Sequence, residues 1–183
     1  MTRRREPSAF PVSGALPEAQ RAERRAAIGT LEQVFRSVRP PRREPSSSSP
    51  YAWRGFDTFR TYHGPWQAFP LDALWACSDA LSFVPAQGLR FYLPAVLCHL
   101  LANPAVALPQ TMLDGLRSLL EGRHPEQRPL VALLDDHQRR AVAEVVRFLL
   151  RLEDEDPINA LGGMSPSAVE RWMAGPPAGR IDP

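Results

Sequence analysis

One stretch of this chain can be satisfied only by burial. From Gln87 to Ala102 the sequence QGLRFYLPAVLCHLLA carries apolar residues almost all the way round a helix. Leu89, Leu93, Val96 and Leu100 recur at i, i+4, i+7 and i+11 on one face, and Phe91 and Cys98 stand on the opposite one. A helix apolar on both sides belongs in an interior, so other helices must wrap it. Pro85 supplies a start, because the first helical position needs no N–H. Pro94 is an interruption: it removes the hydrogen bond to the Arg90 carbonyl and biases Leu93 away from the α region, which predicts a kink or break. Arg90, Tyr92 and His99 are the polar side chains near that freed carbonyl. Together with Trp66 and Pro94 they form the candidate binding or kink site.

The flanking sequence supplies the wrapping. Ala27, Ile28, Leu31, Val34, Phe35 and Val38 recur at i, i+1, i+4, i+7, i+8 and i+11, which predicts an amphipathic helix ending before Pro40 and Pro41. Arg21, Arg24 and Arg25 are read as its charged outer side, with Glu18–Arg21 and Glu32–Arg36 as surface pairs. Leu71 to Ala80 predicts a second helix packed through Leu71, Leu74 and Trp75. Met112, Leu113, Leu116, Leu119 and Leu120 predict another, closed by Gly122 as a C-terminal cap. EGRHPEQRP reads as a polar connector to the apolar group Leu130 to Leu134. Asp135 and Gln138 form a capping box ahead of a helix whose Val142, Val145, Val146 and Leu149 face inward. Ser165 caps a short terminal helix packing Val169, Trp172 and Met173. The expected fold is all-α, a single compact helical domain over residues 16–174 around a Pro-kinked central helix. Residues 1–15 are expected to be a disordered Arg/Pro arm, 39–52 a mobile Pro/Arg/Ser loop and 175–183 a disordered tail.

Charge and cysteine usage narrow the setting. All 22 basic residues are Arg, alongside 20 prolines, a pattern that GC-rich coding produces, so the arginines were not necessarily selected for phosphate recognition. A net charge of +2 does not by itself call for nucleic acid. Arg3, Arg4 and Arg5 in the arm, and Trp53, Phe56, Phe59, Tyr62 and Trp66 interleaved with Arg54, Arg60 and His63, are the features a nucleic acid could use. The aromatics are better read as core anchors. Cys77 and Cys98 lie in apolar surroundings as expected of free buried thiols, MTRRREPSAFPVSG has no apolar leader core, and no apolar run is long enough to cross a bilayer. The expectation is a cytoplasmic protein without a membrane partner.

No motif for a metal, cofactor or phosphate is present. His63, His99, His124 and His137 have no zinc-binding spacing, and there is no glycine-rich phosphate loop and no G-x-S-x-G elbow. Asp135, Asp136 and His137 are adjacent, but consecutive helical residues diverge, and a capping Asp accounts for them. The one catalytic arrangement to test is a Cys77/His99 pair assisted by Asp79. Cys98 and His99, neighbours on one helix, point apart.

The segment Leu81-Ser82-Phe83-Val84-Pro85-Ala86-Gln87-Gly88-Leu89-Arg90-Phe91-Tyr92-Leu93-Pro94-Ala95 resembles a bacterial family of uncharacterised proteins with a pattern of the type L-S-F-L-T-P-E-A-x-R-Y-Y-L-P-A. Trp66 in GPWQAFPLDAL and Leu133 to Ala141 in LLDDHQRRA fall where that family has W-x-x-L/I-P and L-T-x-x-Q-R-x-A-I segments. The resemblance spans roughly residues 28–152, an ordinary single-domain length. Asp135 departs from the commoner Thr cap, and the Pro- and Arg-rich tails are particular to this chain. The resemblance implies a bacterial cytoplasmic domain and carries no activity with it. The expectation is a non-catalytic protein-protein interaction or accessory module, with an immunity-like role as one form of it, nucleic-acid binding through the arm as the alternative and a Cys/His hydrolase behind both.

Overall fold

The structure is a computed structural model that describes residues 10–14, 16–41, 61–76, 80–102, 108–155 and 164–175. Arg3 to Arg5, Trp53, Arg54, Phe56, Phe59, Arg60, Cys77, Asp79 and the tail beyond residue 175 lie outside the described residues.

Among the described residues there are seven α-helices and no strand: α1 Glu18–Val34, α2 Leu71–Ala76, α3 Ala86–Ala102, α4 Gln110–Leu120, α5 Gln127–Leu133, α6 Asp136–Glu155 and α7 Ser167–Ala174. Short 3-10 turns occupy Trp66–Ala68 and Ala80–Ser82. The fold is all-α, as the periodicities predict. Helix α3 is the centre: Leu89, Phe91, Leu93, Val96, Leu97, Cys98 and Leu101 have no exposed surface, so both of its apolar faces are covered. The cover comes from α1, α5 and the Trp66 turn, while α1 also packs on α6 and α6 on α7.

Pro94 does not break α3. The helix starts with the Leu89 N–H donating to the Pro85 carbonyl (2.9 Å) and runs continuously from Ala86 through buried Pro94 to Ala102. Neighbours pressing from every side hold Leu93 and Pro94 in helical conformation, and that burial overrides the local cost of proline.

The other helices show where pattern sufficed and where it did not. Helix α4 buries Met112, Leu116, Leu119 and Leu120 and closes in a Schellman motif, with Arg123 N–H bonded to Ser118 O (2.9 Å) and Gly122 N–H to Leu119 O (3.2 Å). Gly122 sits at φ 76°, and a Cβ there would meet Arg171 Cδ at 3.2 Å. The capping box ahead of α6 forms through Asp135 Oδ1, which accepts from Gln138 N–H at 2.9 Å. At α7 the N-cap is Pro166, without a side-chain cap, and Ser165, one residue earlier, accepts from Ser167 N–H at its Oγ (3.3 Å).

Two packing expectations are corrected, and one helix boundary. Over its described residues, Leu71–Ala76, helix α2 packs through Leu71 and Ala73 and leaves Trp75 49% exposed. Helix α7 packs through Ala168, Val169 and Trp172, while Met173 is 49% exposed. The connector EGRHPEQRP gives way to helix at Gln127, so that Gln127–Leu133 takes in most of the apolar group Leu130 to Leu134, with Pro129 accommodated in its first turn where no N–H is required. The arm boundary also moves. Phe10 is buried and Ser13 N–H donates to Ala102 O (2.9 Å), so residues 10–14 form a strap across the C-terminal end of α3.

Candidate functional site

The predicted site residues on α3 divide by helix geometry. Tyr92 and His99, seven residues apart, share one side, whereas Arg90 and Pro94, four apart, share the opposite side. The structure brings Tyr92 and His99 together with Trp66 and leaves Arg90 away from them. Arg90 is half-buried, and its Nε is buried without a hydrogen-bond partner.

On the Tyr92/His99 side lies a continuous aromatic nest. Phe10 stacks on Trp66 with centroids 6.1 Å apart and 15° between planes, and meets His99 edge-on at 5.0 Å. Phe69 makes edge or tilted contacts with Tyr62 and Tyr92, both at 5.0 Å, and Tyr92 meets Phe91 at 4.9 Å. Each aromatic pair of this kind adds roughly 0.5–1.5 kcal/mol beyond its buried area. The polar tips are tied to main chain: Trp66 Nε1–H donates to Phe35 O (2.9 Å), and Tyr62 O–H donates to Pro65 O (2.7 Å). A Cβ at Gly64 would fall 2.6 Å from the Tyr62 hydroxyl oxygen, so the tyrosine ring would have to shift to admit one. Tyr92 is held protonated, its pKa raised first by burial and then by neighbouring Tyr62.

His99 is part of this nest. A carbonyl can only accept, so the 3.0 Å contact between Nε2 and Phe69 O puts the ring proton on Nε2. Burial lowers the His99 pKa below its ordinary 6.5, partly opposed by that hydrogen bond, and the ring is neutral at physiological pH. With one nitrogen bonded to main chain and Phe10 against the ring, His99 serves as a packing and hydrogen-bonding residue. The Cys77 half of the proposed pair lies outside the described residues. Cys98 is fully buried, and burial, with a smaller contribution from the Glu32 charge, keeps its thiol well above the ordinary range and therefore un-ionised.

A second cluster closes the N-terminal end of α3. Glu126 Oε2 accepts from Ala86 N–H (2.9 Å), placing a carboxylate where the helix dipole favours one. Nearby, His124 Nδ1 accepts from Glu126 N–H (3.1 Å), so its proton resides on Nε2, which is buried and makes no hydrogen bond among the described residues. Burial lowers the His124 pKa, partly opposed by the nearby Glu126 charge. Buried Glu121 fills a similar joining role, accepting from Ser165 N–H (3.1 Å) and pairing with Arg123. These acids are structural connectors between α3, α4, α5 and α7. Among the described residues no group of three or more His, Cys, Asp or Glu is placed to hold a metal ion, and no helix is long and apolar enough to cross a membrane.

Arg24 is the residue that pattern reading misplaced. It was read as part of the outer charged face, yet it is only 2% exposed. Its Nη1 donates to Leu101 O (3.0 Å) near the C-terminal end of α3, its guanidinium lies 5.3 Å from the Phe148 ring centroid, and its Nε is buried without a partner. Burial lowers its pKa. The signal was available: Arg24 precedes Ile28, Leu31 and Phe35 by four, seven and eleven, on the same stripe. By contrast, Glu18 is exposed and pairs with Arg21 and Arg25 as surface residues do.

Neither a curated protein nor a solved structure matches this chain. Residues 43–174 do match a family of unknown function, DUF6714, and the matched span runs from beyond α1 through α7. That span takes in the Trp66 turn, the whole of α3 and the Asp135 cap, the three segments whose residue patterns resembled an uncharacterised domain family. The chain belongs to the DUF6714 family.

Proposed function

We propose that this chain is a non-catalytic protein-protein interaction module, an accessory protein of the bacterial cytoplasm that acts by binding another protein. The observation that carries this reading is Trp75, a large aromatic left 49% exposed on α2 while Trp66 and Trp172 are completely buried. Tryptophan is the residue most enriched among side chains that dominate binding energy, because it covers a large apolar area at little entropic cost. Met173 and Leu133 are the other large apolar side chains exposed among the described residues, at 49% and 37%. An immunity-like role, in which a small helical protein masks a partner, fits such a surface.

The experiment is affinity capture from lysate with the unaltered chain and Trp75→Ala, each at low and high salt and with nuclease. Retention of one stoichiometric protein through salt and nuclease, lost with Trp75→Ala, is the expected result. Capture indifferent to Trp75→Ala but abolished by nuclease or by deleting residues 1–9 would replace this reading with nucleic-acid binding through Arg3, Arg4 and Arg5.

A further inference from the structure

The short connector between α4 and α5 is tied to three helices through one histidine and one glutamate. The main chain of His124 is fixed on both sides: its N–H donates to Ser118 O of α4 (3.1 Å), and its carbonyl accepts from Gln127 N–H of α5 (3.0 Å). Its ring turns back on the same connector, where Nδ1 accepts from Glu126 N–H (3.1 Å). Glu126 is in turn the N-cap residue of α5 and, through Oε2, the acceptor for Ala86 N–H (2.9 Å) at the first residue of α3. One glutamate thus stands at the start of two helices, and its own N–H is held by an imidazole nitrogen.

That nitrogen accepts only while it carries no proton. With Nε2 already protonated, a second proton goes to Nδ1, turns the acceptor into a donor and sets it against Glu126 N–H. A ring flip gives no relief, because both nitrogens of an imidazolium carry protons. The added charge is poorly accommodated as well: His124 is 7% exposed, and its Nε2 is buried without a hydrogen-bond partner among the described residues. Around it, α4 brings Asp114 and Arg117, the connector Glu121, Arg123 and Glu126, α5 Arg128, and α3 Arg90 one turn beyond Ala86, while the turn Ala80–Ser82 brings no charge. Glu121 is taken up by Ser165 N–H and Arg123. Glu126 favours a charged ring, but it is committed to Ala86 N–H, and burial outweighs its charge, which leaves the His124 pKa below its ordinary 6.5.

We propose that His124 is an acid-sensitive latch, which in its neutral form closes the connector onto the N-terminus of α3 and on taking up a proton releases Glu126 N–H. The connector and the start of α3 then open together while the rest of the domain stays folded. A proton binds the open form more tightly than the closed one, so the equilibrium shifts toward opening as pH falls below about 6.5 and levels off beneath the lowered pKa of the closed form.

Hydrogen exchange on the intact chain at pH 7 and pH 5, with each rate divided by its intrinsic rate at that pH, tests the latch. The Glu126 and Ala86 amides are expected to exchange at least about tenfold faster than those of Val145 and Val146 in α6, through a local opening that rises at least about threefold from pH 7 to pH 5. His124→Asn places a non-titrating oxygen where Nδ1 stands and is expected to abolish the rise. Glu126→Gln keeps an acceptor for Ala86 N–H and is expected to retain it. Protection equal to that of α6 would mean that these amides open only with the whole domain, and would overturn the proposal. A rise that survives His124→Asn, or one lost in Glu126→Gln, would assign the proton to another group and overturn it too. The unaltered chain gives a check that needs no variant: followed by NMR, the His124 ring and the Ala86 amide are expected to titrate with one midpoint below 6.5, and separate midpoints would uncouple the proton from the helix start.

Discussion

Helices α1 and α3 are each 17 residues long, and they are held in place by different means. Helix α3 is covered on all sides, so its position is set by the sum of many apolar contacts, and even an interior proline does not interrupt it. Helix α1 is covered along a single stripe, and that stripe includes one charged residue, Arg24. The difference shows how burial all round makes local defects tolerable, whereas a one-stripe helix depends on a few anchors and on how its ends are capped.

Trp66 bears on both helices, packing on α3 and donating to the α1 carbonyl of Phe35, so its loss is the largest expected single effect. Trp66→Ala is expected to destabilise the domain by about 3–5 kcal/mol, read as a fall in the urea midpoint. A cost below about 1 kcal/mol would show that the two helices are not joined through this side chain.

Matched truncations sharpen the contrast. Leu97→Ala in α3 and Leu31→Ala in α1 remove the same atoms from sites with no exposure. Each is expected to cost about 2–5 kcal/mol. The α3 variant should lower protection of every helix together, and the α1 variant should lower protection of α1 amides first, as measured by hydrogen exchange. Equal, global loss in both variants would erase the distinction.

Arg24→Met tests the charged residue in the α1 stripe. Replacing a buried ion with an apolar side chain of similar volume is expected to leave stability unchanged or raise it by about 1 kcal/mol, with a higher melting temperature. A loss of more than about 2 kcal/mol would mean that the bond to Leu101 O and the Phe148 contact outweigh the desolvation of the guanidinium.

The smallest effect concerns pH. The His99 pKa is lowered on folding, so the unfolded chain binds its proton more readily. Stability is therefore complete above about pH 6.5, declines as pH falls below that value and levels off beneath the lowered folded-state pKa, with His124 contributing in the same direction. His99→Gln keeps a donor for Phe69 O and removes one titration, and is expected to flatten part of this slope in melts at pH 7 and pH 5. An unchanged slope would assign the effect elsewhere.

Much of the helical plan was legible because periodicity and caps are local. The stripe of α4, the Gly122 terminus and the Asp135 cap needed only spacing and residue type. The candidate site was half legible: Trp66, Tyr92 and His99 do converge, but through Phe10 and Phe69, residues that no local pattern ties to them. Arg90 and Pro94 were grouped with them by proximity in sequence, and helical geometry sends them to the other side.

The sequence by itself determined that this chain would be helical and that the segment around Pro94 would be its centre, since residues apolar all round a helix have no stable place in water. It also determined the family. The tertiary structure alone decided that Phe10 packs against His99, that Trp75 and Met173 point outward, that Pro94 leaves α3 intact and that the guanidinium of Arg24, already on the apolar stripe, is met by Leu101 O and Phe148. Each of these outcomes depends on which surfaces distant segments bring to a shared space, and a competition among buried contacts is settled only when all of them are in place.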